Sequence, residues 1–158
     1  MNLVSRIEEM EPATLVGVHL EMSLIQNRTG ELWRAFMPRR KELLYAKSSD
    51  LCSLQLYPAN YFHNFNPATP FGKWAGSLVS STEEIPEGME VLQWNGGKYA
   101  VFEYRGLAGA SEVFQHIFGV WLPASGYVLD HRPHFEVLGE KYNNVNDQSE
   151  EEIWIPVM

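Results

Sequence analysis

The sequence predicts an α+β domain of two tandem strand-helix-strand-strand units, with one or two antiparallel sheets around a central groove. Three observations carry this. Short runs rich in β-branched and aromatic residues are separated by Gly/Pro/Asn punctuation, and two stretches have helical periodicity. The two halves of the chain, about 10–80 and 89–158, show these elements in one order. The spacing between matching elements is nearly constant. Leu15 matches Tyr99 at an offset of 84, Trp33 matches Phe114 at 81, Leu51 matches His134 at 83, and Trp74 matches Trp154 at 80. A repeat of this kind implies a duplicated unit. Either half alone is too small for a good core, so the halves should pack as one domain with a groove at the seam.

In chain order, the segment 13–22 after Pro12 reads as the first strand. Asn27-Arg28-Thr29-Gly30 breaks it, with Thr29 a candidate cap for a helix over 31–37. Leu32, Trp33, Phe36 and Met37 recur there at helical spacing. Pro38 ends or kinks that helix and can begin a second short one. Strands follow at 51–57 and 71–79, joined by a long connection carrying Tyr61, Phe62 and Phe65. The polar stretch 80–88 is a linker. In the second half, 90–94 is a candidate strand, Asn95-Gly96-Gly97 a turn, and 98–105 a strong strand. A loop around Gly106 and Gly109 precedes an amphipathic helix over 111–122, built on Val113, Phe114, Ile117, Phe118 and Trp121. Strands at 132–138 and 151–157 close the unit, separated by a polar turn over 143–149.

The bulk numbers exclude several classes. A chain of 158 residues with 45% hydrophobic and 20% charged residues fits one soluble domain. Its N-terminus lacks the apolar core of a signal peptide, and no run approaches a membrane span. A single cysteine, Cys52, permits no internal disulfide and suits a reducing compartment; the expectation is cytoplasmic. The net charge of −8 opposes direct binding to nucleic acid and favours cationic ligands weakly.

One strand carries an unusual group. In Arg132-Pro133-His134-Phe135-Glu136-Val137-Leu138, alternation places His134, Glu136 and Leu138 on one face. Glutamate suits strands poorly, and a buried carboxylate needs a partner or a raised pKa. It either points to water or waits in an aromatic pocket for a cation. Subtracting 83 from Glu136 gives Ser53, so the charge breaks the repeat, which suggests a site rather than architecture. His131 and His134 lack the further ligands a metal site would need, no phosphate loop or nucleophilic triad is visible, and no metal or cofactor is expected. Glu150-Glu151-Glu152 reads as a solvated strand end.

Four motifs together resemble the gyrase-inhibitor-like family, the effector-binding domain also fused to bacterial AraC-type and multidrug-sensing transcription regulators. They are Gly97-Lys98-Tyr99-Ala100-Val101-Phe102-Glu103-Tyr104-Arg105-Gly106, Trp121-Leu122-Pro123-Ala124-Ser125-Gly126-Tyr127, Arg132-Pro133-His134-Phe135-Glu136 and Ile153-Trp154-Ile155-Pro156-Val157. The match is loose in the first half, through Trp33 and Lys73-Trp74-Ala75-Gly76. The resemblance implies a pocket between the repeats in which Glu136 meets cationic, lipophilic ligands. It departs from the family in two respects. The helix-turn-helix region of family regulators has no counterpart ahead of the first strand, so operator DNA is not an expected partner. Leu138 stands where the family often has Tyr.

The expected ligand-binding set is Glu136 with Trp33, Phe36, Trp74, Trp121 and Trp154 as walls and Tyr57, Tyr61 and Phe62 as a lid. Core packing is the competing explanation for each of the five wall residues, and surface decoration for the three lid residues. The leading function is a stand-alone binder of cationic or amphipathic small molecules, for sensing or drug sequestration. One alternative is a hydrolase of cyclopropane-type electrophiles with Glu136 as general base. Another is an interaction protein for gyrase or a separate regulator.

Overall fold

The computed structural model describes residues 3–107, 111–143 and 148–158. Parts of the expected loops around Gly109 and over 143–149 lie outside these residues. The strands are β1 (Leu3–Met10), β2 (Ala13–Met22), β3 (Leu51–Leu56), β4 (Phe71–Leu78), β5 (Glu90–Trp94), β6 (Gly97–Arg105), β7 (His134–Leu138) and β8 (Glu150–Pro156). They form one antiparallel sheet in the order β1-β6-β8-β7-β3-β4-β2-β5. Helix α1 (Thr29–Phe36) runs into a 3-10 turn, Met37–Glu42, with Pro38 in its first turn. Asn27 Oδ1 accepts from the Thr29 amide, so Thr29 opens the helix rather than capping it. Helix α2 (Ser111–His116) continues through a π-type turn, Ile117–Trp121, into α3 (Leu122–Ser125). Pro123 is absorbed in the first turn of α3, and the helix stops at Gly126 in the left-handed region.

The repeat can be read from the ladder. β3 and β7 pair from Leu51↔Leu138 to Gln55↔His134, centred on Ser53↔Glu136. A pseudo-twofold axis through that central pair superposes β2-β4, starting at Leu15↔Leu78, on β6-β8, starting at Tyr99↔Pro156. It likewise superposes Cys52↔Gly76 on Phe135↔Trp154. The offsets of 84 and 83 expected from sequence therefore hold, but β4 maps onto β8 at 78, not 80. The two tryptophans are not equivalent: Trp74 corresponds to Glu152, and Trp154 to Gly76.

Strand β1, not anticipated from sequence, pairs with β6, while β5 pairs with β2. Each unit thus lends its leading strand to the other. Only Glu11 and Pro12 separate β1 from β2, and only Asn95 and Gly96 separate β5 from β6. Asn95-Gly96 therefore joins strands at opposite ends of the sheet and makes no hairpin. Three Cα steps span at most about 11 Å, whereas six strand spacings in a flat sheet would need about 29 Å. The sheet must curl until its ends approach.

The curl encloses a core without any helix. Leu15, Leu54, Trp74, Tyr99, Val101 and Phe135 fill it, and Trp94 of edge strand β5 reaches Phe135 of β7 at 5.8 Å. Phe135 also stacks on Trp154 at 5.2 Å. On the other face, α1 covers Val16, Phe71 and Ala75, and α2 with the turn after it covers Ala100, Phe102 and Ile153. Strands β2 and β4 approach closely at the pair Gly17↔Gly76. A Cβ on Gly17 would collide with the Ala75 carbonyl oxygen, and one on Gly76 with that of Val16. Gly76→Ala is therefore expected to cost roughly 1–3 kcal/mol, since backbone must move to admit a methyl; urea denaturation measures this.

Candidate functional site

The pseudo-twofold axis organises a groove on the helix-bearing face. Its floor is the middle of the sheet. Alternation aims Ser53, Gln55, Lys73, Glu136, His134 and Glu151 to that face. Trp33 of α1 stands on one side and its repeat partner Phe114 of α2 on the other. Between them lies a cavity of about 800 Å³, lined also by Leu51, Leu138 and Tyr142. That volume suits a drug-sized molecule.

Glu136 sits at the centre, partly buried. With its amide nitrogen turned toward the carboxylate, Gln55 donates to Glu136 Oε2 at 3.0 Å. Burial pushes the Glu136 carboxyl up to about 7, against smaller opposing pulls from Lys73 and the Gln55 hydrogen bond. Glu151 enters the same groove. Burial, and then repulsion from Glu136, raises it to about 7 as well, while Lys73 pulls it down. Two carboxylates in one pocket titrate as a pair, and burial favours a proton on that pair near neutral pH. Burial pushes His134, on the same face, down to about 3, with smaller contributions from His131 and Arg132. It is neutral and supplies no competing charge.

The expected aromatic residues separate into five environments. Trp33 lines the groove. Tyr57, Tyr61 and Phe62 form a cluster with Phe71, Phe118 and His134. It lies beyond Gln55 on the same face and packs as a wall; Tyr61 is buried there. Burial, and to a smaller degree the charges of Glu136 and Tyr61, push the Tyr57 hydroxyl well above the usual tyrosine range. Phe36 is fully buried beneath α1. Trp121 packs edge-on against Phe102 at 4.8 Å, in the core behind α2. Trp74 and Trp154 face the enclosed core on the opposite side of the sheet. Even-numbered positions of β4 and β8 point away from the face that carries Lys73 and Glu151, so neither tryptophan can reach the groove.

Sequence reasoning passed over Phe114, Lys73 and Glu151. The repeat pointed to Phe114 through its match to Trp33. The period of two pointed to Glu151, which shares a face with Ile153 and Ile155.

Arg132, in the motif that carries Glu136, serves the scaffold. It donates to the carbonyls of Gly96 (2.8 Å), Lys98 (2.7 Å) and Val157 (3.0 Å), pairs with Asp130 at 2.8 Å, and lies over the Tyr99 ring. The Tyr99 hydroxyl in turn donates to the Pro133 carbonyl at 2.7 Å. These bonds hold the start of β7, and hence Glu136, against β6 and β8. Among the described residues no helix is long and apolar enough to cross a membrane.

Comparison with known proteins agrees with this architecture. The model of a family described as "Cass2: Integron-associated effector binding protein" matches residues 6–157. The transcriptional regulator BrlR of Pseudomonas aeruginosa is 28% identical over 162 residues, covering 99% of this chain and 56% of the regulator. The chain thus spans about half the length of that relative. Among solved structures, SAV2435 bound to tetraphenylphosphonium aligns with a TM-score of 0.67 and 17% identity, over 98% of this chain and 94% of its own. An integron cassette protein of Vibrio cholerae aligns over 100% of both chains, with a TM-score of 0.61 and 18% identity. At these identities the two structures share the fold.

Proposed function

We propose, for a chain that belongs to the integron-associated effector binding protein family, that its groove binds aromatic, cationic small molecules with Glu136 as the countercharge. The observation that carries this reading is a partly buried carboxylate at the centre of a drug-sized cavity between Trp33 and Phe114. A cation there gains from the ring faces, about 0.5–2 kcal/mol per ring, and from an ionised Glu136 in reduced dielectric. Tetraphenylphosphonium, the ligand of a protein with this fold, is an apt first probe.

Opposite charges on one shape separate electrostatic recognition from simple apolar burial. Tetraphenylphosphonium should quench Trp33 fluorescence with micromolar affinity at pH 8. Tetraphenylborate, of the same shape and opposite charge, should bind at least about tenfold more weakly, a difference of 1.4 kcal/mol. The bound cation should be recovered chemically intact. Equal affinity for the two ions would overturn the assignment of Glu136, and failure of both to bind a folded protein would remove the groove as a site.

A further inference from the structure

The pseudo-twofold axis pairs not only Ser53 with Glu136 but also Lys73 with Glu151, because β4 maps onto β8 at an offset of 78. The repeat therefore places opposite charges at symmetry-related positions of one groove. Cations line the side built from the first unit, with Lys73 on β4 and Arg40 after α1. Carboxylates line the side built from the second, with Glu136 on β7 and Glu151 on β8. From this juxtaposition we propose that the groove selects amphoteric ligands, aromatic molecules carrying both a cationic centre and a carboxylate, with the carboxylate held by Lys73. This rests on the groove being the ligand site, as argued above, and goes further by naming a second recognition point.

Two observations support it. Lys73 is partly buried and lies close enough to pull down the pKa of both glutamates, yet among the described residues no carboxylate comes within 4.0 Å of its ammonium. It neutralises the pair at a distance and is not locked in an ion pair. A ligand with a lone positive charge competes with Lys73 for the same carboxylates and leaves the ammonium facing the ligand without a near counterion. A zwitterion takes the carboxylates with its cationic end and returns a carboxylate to Lys73. Ammonium–carboxylate hydrogen bonds are among the stronger polar contacts available in such a site, and the guanidinium of Arg40 adds a second positive charge on the same side.

Rhodamine B and its ethyl ester form a matched pair: both carry the cationic xanthene, and only the acid carries the anion. Fluorescence anisotropy at pH 8 should show the acid binding about tenfold or more tightly than the ester. Lys73→Met should abolish that preference by weakening the acid, leaving the ester as tight or tighter. The wild-type ratio needs no variant, so misfolding of Lys73→Met would not remove the test, and Lys73→Gln gives a second comparison. Binding of the ester with the acid equal or weaker would overturn the amphoteric preference while sparing the cation site. Failure of both dyes to bind the folded protein would overturn both.

Discussion

Replacing Glu136 by Gln is expected to weaken binding of tetraphenylphosphonium at pH 8 about five- to 150-fold, a loss of about 1–3 kcal/mol. The change removes charge and keeps shape, so it separates electrostatics from packing. Its effect on the empty protein should run the other way. The folded protein holds a proton on Glu136 up to about pH 7, against 4.5 as the group's ordinary value. The stability linked to this proton is full below pH 4.5 and is lost as pH rises through 7. Near pH 5 the wild-type carboxyl is mostly neutral, and Gln changes little. At pH 8 the wild type carries a buried charge that Gln does not, so the variant should be more stable by about 2–3 kcal/mol. Urea unfolding at both pH values measures this. A variant less stable at pH 8 would make Glu136 a structural anchor.

Arg132→Leu is expected to cost about 3–5 kcal/mol, the largest stability loss among the changes considered. The guanidinium is mostly buried and bonds three backbone carbonyls from the β5–β6 junction, β6 and the residue after β8. Removing one member of such a network strands the others without partners, Asp130 among them. Arg132→Lys should recover only part of the loss, because one ammonium cannot reproduce the planar fork. Hydrogen exchange should open first at the starts of β6 and β7. Loss of less than 1 kcal/mol in Arg132→Leu would show that the network adds little beyond the strand ladders.

The order of elements was legible because both units obey the same periodicities, and Glu136 stood out because a charge broke the repeat. Strand β1 was not, since an edge strand buries little; its Arg6, Glu8 and Glu9 hide the alternation, and Arg6 pairs instead with Glu8 and Glu152. Two matching tryptophans suggested an offset of 80 where the ladder gives 78. Because 78 and 80 are both even, the shift keeps each residue on its own face, so pattern alone could not detect it. What pattern could have shown is that Trp74 shares a face with Gly76 and not with Lys73. Glu151 was concealed in a run of three glutamates that reads as a solvated strand end, although alternation with Ile153 and Ile155 singles it out as the one on the helix-bearing face. The curl that buries Trp74, Trp154 and Phe135 without a helix follows from two-residue junctions joining strands at opposite ends of the sheet, which requires knowing the strand order.

The central claim is that Glu136 binds cations as a carboxylate whose proton the ligand displaces. Calorimetric titration of tetraphenylphosphonium between pH 5.5 and 8.5 tests it most directly, because the charge of this ligand does not change with pH. Affinity in the wild type should rise as pH increases through about 7 and then level off, with protons released to the buffer on binding. In Glu136→Gln, the part of the rise that belongs to Glu136 should be gone, leaving only the weaker dependence from Glu151. A wild-type affinity that is flat across this range, or a rise of equal size in Glu136→Gln, would contradict the account.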